Sequence, residues 1–154
     1  MKDQEKKQAI DVLNEIMELE LAGVVRYTHY SLMIYGYGRI PIVSWLRDVA
    51  KESLMHAEEA GNLVTMLGGH PSLKIGSLLE TERHDIGDIL RESLEHEGRA
   101  AKSYYKLLDL VKDKSTILEE YARKMIYTEE LHLDEVNKML RNPGDLSPFT
   151  PGKG

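Results

Sequence analysis

Cysteine is absent from all 154 residues. Disulfides, thiolate metal sites, iron–sulfur clusters and thiol catalysis are therefore excluded, and any metal would have to be held by oxygen and nitrogen. Phenylalanine and tryptophan occur once each, so tyrosine, with eight copies, supplies nearly all the aromatic rings. No apolar run approaches the roughly 20 residues of a membrane span. The first residues, Met1-Lys2-Asp3-Gln4-Glu5-Lys6-Lys7, lack the apolar core of a signal peptide. The expectation is a soluble, cytoplasmic protein. Excess positive charge is also missing: a net charge of −6 argues weakly against nucleic acid and mildly suits the attraction of cations.

What is present is helical periodicity. Apolar residues recur at intervals of three and four, not two, over four long stretches, which predicts an all-α protein of one domain. The first helix is expected over about 4–35, ending at Gly36-Tyr37-Gly38. The second runs from Pro41, tolerated in a first turn, to about Leu67, where Gly68-Gly69 and Pro71 stop it. The third spans about 84–112, and the fourth follows Ser115, a suitable N-cap, to about Arg141. Residues 70–83 are too many for a tight turn and can run the length of a bundle, making helices two and three parallel. Residues 1–141 thus form the bundle and 142–154, rich in Pro and Gly, an irregular tail.

Each helix carries one apolar stripe, and each stripe is interrupted near its middle by a polar residue. The stripes read Leu13, Ile16, Glu20, Gly23 or Val24, Tyr27, Ser31, Ile34; then Leu46, Val49, Ser53, His56, Ala60, Leu63, Leu67. The third is Leu90, Ser93, Glu97, Ala100, Tyr104, Leu107, Val111, and the fourth Leu118, Ala122, Met125, Glu129, His132, Val136, Met139. Glu129 and His132 are three residues apart, which turns both side chains toward one side of the helix. Taken singly, each interruption has a bland account: Glu20 at a stripe edge, Tyr27 filling core, His56 a satisfied core histidine. Taken together, Glu20, His56, Glu97, Glu129 and His132 would meet at one height, and such a set of buried charges is destabilising without a compensating cation. Two divalent ions would resolve the conflict. The donor types favour iron or manganese, with zinc a possible occupant; a purely structural polar core is the competing reading. Glu52 and Glu59 flank His56 on an adjoining stripe, either of them a solvated surface acid or a neighbour of the site. Glu95 and His96 are expected to point elsewhere, to solvent or an interface, and His70 and His84 to lie at the surface.

Over about residues 5–141 the sequence resembles the ferritin-like superfamily of dinuclear carboxylate proteins and is most similar to bacterioferritins. That pattern is one Glu from each of two helices and Glu-x-x-His from each of the other two. Glu20 with Tyr27 seven residues on, His56-Ala57, Glu97, and Glu129-Glu130-Leu131-His132 correspond to it. Two positions depart. Where the family has an acid three residues before the second-helix His, this chain has Ser53, and Glu52 is the nearest substitute, ahead of Glu59. Where bacterioferritins place an axial Met two residues before that His, this chain has Leu54, which counts against haem. The tail does not resemble the fifth helix of the larger cages.

The resemblance implies a ferritin-like four-helix bundle with a long crossover between helices two and three. It implies two iron ions and oxidation of Fe(II) by O₂ or peroxide in iron storage or detoxification. In that scheme Glu20 and Glu97 are terminal ligands, His56 and His132 give one nitrogen to each metal, Glu129 bridges, Glu52 completes the set, and Tyr27 is a hydrogen-bond or one-electron donor. Two other readings stay open: a non-catalytic metal-binding or scaffold protein whose site is degraded at Ser53, and a diiron peroxidase or oxidase acting on another substrate. A homo-oligomer, dimer or larger, is expected from the resemblance and from Tyr30, Tyr35 and Tyr37 as a contact surface, with ordinary core packing of these rings the competing account.

Overall fold

The computed structural model describes residues 1–152; Lys153 and Gly154, the end of the expected irregular tail, lie outside the described residues. Among the described residues, four helices make up the regular structure: α1 (Asp3–Met33), α2 (Arg39–Met66), α3 (Ile86–Val111) and α4 (Thr116–Leu140). They pair as two antiparallel hairpins, α1 with α2 and α3 with α4, and α1 also packs on α3. Among the described residues no helix is long and apolar enough to cross a membrane.

The ends of the elements follow local chemistry. α1 stops two residues early, because Gly36 takes a left-handed φ of +92° and turns the chain back. The last carbonyls of α1 are not left bare: Arg39 Nη1, from the first turn of α2, donates to Ile34 O at 2.7 Å, and His84 Nδ1 lies 3.0 Å from Met33 O. α2 begins at Arg39, so Pro41 falls within its first turn, where a missing N–H costs nothing. Asp85, not His84, opens α3, its carboxylate accepting from Asp88 N. Ser115 stands at the expected N-cap of α4, but its side chain caps nothing; Glu119 reaches back instead, to Asp113 N at 2.9 Å.

The crossover between α2 and α3 is strapped along α1. Asn14 holds its start, accepting from Ser72 N and donating to His70 O. Gly76 N donates to Glu18 O at 2.8 Å, and Arg26 donates to Ser77 O. A Cβ at Gly76 would stand 3.1 Å from the Glu18 carbonyl, so glycine is what lets the strand of crossover lie this close. It therefore travels from the Asn14 end of α1 to the Met33 end, and α3 starts there antiparallel to α1 and parallel to α2.

All four stripes face inward, with Gly23 rather than Val24 in the buried position. The apolar core divides into two clusters. One gathers Leu13, Ile16, Leu63, Leu107, Leu118 and Met125; the other gathers Tyr27, Tyr30, Ile34, Leu46, Val49 and Ile89. Between them lie Glu20 on α1, Ser53 and His56 on α2, and Glu97 on α3, and Glu129 follows the α4 part of the first cluster, a polar belt across the middle of the bundle. Beyond α4 the tail folds back: Asn137 Nδ2 donates to Phe149 O at 2.8 Å and its Oδ1 accepts from Phe149 N at 3.0 Å.

Candidate metal centre

The belt brings together the acids of three helices. Glu20, Glu97 and Glu129 are each at most 5% exposed. His56, half-buried, places Nδ1 at 3.5 Å from Glu20 Oε1 and 3.8 Å from Glu129 Oε1. Ligand atoms of Glu20, His56 and Glu129 all lie within 4.8 Å of one another, the spacing that one ion could share. Glu97 and Glu129 are close enough to set each other's protonation. Glu129 Oε2 and His132 Nε2 are buried without a partner, and such orphaned atoms are costly unless something absent from the chain engages them. The His132 ring lies against Trp45, with centroids 5.6 Å apart.

Two tyrosines brace the acids reciprocally. Tyr27, seven residues after Glu20, donates its hydroxyl to Glu97; Tyr104, seven residues after Glu97, donates to Glu20 Oε1 at 2.9 Å. Both rings are fully buried. Burial and the nearby carboxylates push both phenols well above the ordinary tyrosine range, so each is a fixed neutral donor. Tyr104 was visible in the sequence only as a stripe residue; the signal for its role is the same seven-residue interval that links Glu20 to Tyr27.

The protons of the cluster are shared. Burial, then the neighbouring Glu97 and Glu20, raise Glu129 so far that it keeps its proton. Burial also works to raise Glu97, but the hydrogen bond from Glu129, the charge of His132 and the Tyr27 hydroxyl outweigh it and hold Glu97 ionised. Glu20 is raised by burial against the opposing pull of His56. Burial disfavours the charged form of His56, yet the hydrogen bond and charge of Glu20, with the charges of Glu52 and Glu97, leave its pKa raised. The proton kept on Glu129 offsets one of the buried charges, a role a cation could take over.

Several expected residues fall elsewhere. Glu52 is exposed and outside the convergent group, while Ser53 occupies the buried position. The reason is angular: one residue turns 100° along a helix, and the inward register of α2 is taken by Val49, Ser53 and His56. Glu52 is felt by His56 only through its charge. Glu59 pairs with Lys124 at 3.2 Å on the surface. His96, expected outside, is 3% exposed and packs edge-on to Tyr27. A Cβ on Gly23 would lie 3.3 Å from its Nε2 and 2.9 Å from Ser53 Oγ. Tyr30, expected at a contact surface, is buried and donates to Glu92 at 2.8 Å, whereas Tyr35 and Tyr37 are exposed. Arg26, unremarked in the sequence, is buried beside Tyr30 and reaches its hydroxyl. His70 and His84 are exposed as expected; Leu54 is exposed too.

A four-helix bundle with a long crossover and a mid-height belt of Glu and His defines a class. Residues 10–143 match the ferritin-like domain family, and the chain belongs to it. It is similar to the bacterioferritin of Desulfovibrio desulfuricans, 24% identical over 151 residues covering 94% of this chain and 82% of that protein. Among solved structures, a ferritin-like, diiron-carboxylate protein from Bacillus anthracis superposes with a TM-score of 0.85 at 22% identity, covering 92% of this chain and 100% of that one. The bacterioferritin of Rhodobacter capsulatus does so with a TM-score of 0.80 at 22% identity, covering 87% and 84%. At these identities the likeness is one of fold.

Proposed function

We propose that Glu20, His56, Glu97, Glu129 and His132 hold a pair of iron ions and that the protein oxidises Fe(II) with O₂ or peroxide, in iron storage or detoxification. One observation carries this reading: carboxylates and imidazoles from all four helices occupy a buried belt whose atoms Glu129 Oε2 and His132 Nε2 have no partner. The donor set, oxygen and nitrogen without sulfur, suits iron or manganese. Names given to similar proteins, bacterioferritin and diiron-carboxylate protein, point the same way.

When bound, the metal pair supplies the electrons and the binding position for the oxidant. The chain supplies the rest. Glu20 and Glu97 are aimed by Tyr104 and Tyr27, which keep their phenolic protons and so fix one carboxylate oxygen each. Glu129 must give up its proton to ligate, so loading releases a proton. The two apolar clusters above and below exclude water from the belt. Glu52 stays outside in this reading.

Anaerobic Fe(II) titration followed by air tests the proposal. Two irons per chain and a fast rise in ferric absorbance are expected, with both lost in Glu129→Ala and both retained in Glu52→Ala. Unchanged stoichiometry and rate in Glu129→Ala would sink the assignment. The buried Ser53, where the family pattern has an acid, favours a second reading: a metal-binding protein without oxidase activity. One weakly bound iron with no ferric absorbance would decide for it.

A further inference from the structure

The belt is not symmetric about its centre. On one side, Glu20, His56 and Glu129 already converge, with His56 Nδ1 between two carboxylates at 3.5 and 3.8 Å. On the other, Glu97 is engaged by Tyr27 and Glu129, and His132 Nε2 is buried with no partner to aim it. No further carboxylate completes it: the buried position one turn before His56 is Ser53, which carries only a hydroxyl, and the adjacent acid, Glu52, is exposed.

Charge sharpens the difference. The belt holds three carboxylates, so one divalent cation leaves it one negative charge in excess, and a second leaves it one positive charge in excess. A net charge is costly in a buried, water-poor setting. An acid at position 53 would have brought the doubly loaded centre to neutrality; a serine cannot.

We propose that the two halves of the centre are unequal: Glu20, His56 and Glu129 take the first divalent cation tightly, and Glu97 with His132 takes a second far more weakly. This rests on the reading of the belt as a metal centre and adds an order of filling to it. The affinities should differ by roughly tenfold or more, the scale of change seen when the support of a metal ligand is removed.

Titration of the metal-free chain with Mn(II), followed by electron paramagnetic resonance and by free-metal analysis, tests it without reference to activity. The expected result is a mononuclear spectrum through the first equivalent, with coupling between ions only at higher Mn(II). His56→Ala should abolish the tight step, and His132→Ala should leave it intact and remove the weak one. Two ions of equal affinity, or a coupled spectrum from the first addition, would overturn the order while leaving the dinuclear centre standing. So would loss of the tight step in His132→Ala with its retention in His56→Ala. A single Mn(II), lost only in His56→Ala, would support the inequality and overturn the dinuclear reading. Binding that is absent, or indifferent to Glu129→Ala, would overturn both.

Discussion

A single imidazole illustrates how the fold loads individual side chains with consequences. His96 is almost fully buried between Gly23, Tyr27 and the cation of Arg26, and burial pulls its pKa from the ordinary 6.5 to about 4. Its pKa is lower in the folded chain than in the unfolded one, so on acidification the unfolded chain takes up the proton first. Its contribution is therefore complete above about pH 6.5 and is lost as the pH falls toward 4, with a limit of ~3 kcal/mol at ~1.4 kcal/mol per unit. Urea denaturation of the metal-free protein between pH 7 and 4.5 should show this slope, and His96→Gln should flatten it. An identical slope in the variant would mean that other groups account for the loss.

Among the elements, α1 meets both of its neighbours, α2 and α3, at Gly23. Alanine is better than glycine in a helix by about 1 kcal/mol, so the substitution would be favourable on an open face. Here the added methyl meets Ser53 Oγ from α2 and His96 Nε2 from α3 at once. Overpacking of this kind costs about 1–3 kcal/mol. Gly23→Ala should therefore lower the midpoint of chemical denaturation; a raised midpoint would show that the helices have room to part.

The four stripes were legible because periodicity reports which face of a helix is buried, and Glu20, His56, Glu97 and Glu129 all lie on those faces. Two kinds of information were not. The first is how far an acid beside the stripe can reach: Glu52, next to the inward Ser53, turns to solvent and does not join His56. The second is what irregular chain covers: the crossover lies against Leu19, Ala22 and Arg26, beside the groove in which His96 is buried, and no periodicity describes a crossover. Tyr30 was misassigned for the same reason, its partner Glu92 being tied in turn to Thr81 of the crossover.

At the scale of the whole molecule, the chain exposes an unusual set of large apolar side chains. Leu32 is 61% exposed, Ile40 84%, Met55 66% and Leu79 62%. With the family resemblance, this exposure leads us to expect a homo-oligomer: light scattering should give a multiple of the monomer mass, reduced by Leu32→Glu. A monomer at micromolar concentration would end that expectation.

The lone tryptophan gives the molecule a signal of its own. Because Trp45 leans on the imidazole of His132, any change in the protonation or occupancy of that ring alters the surroundings of the single indole in the protein. Its ultraviolet emission is thus a gauge fitted to one half of the belt, readable in solution without a label.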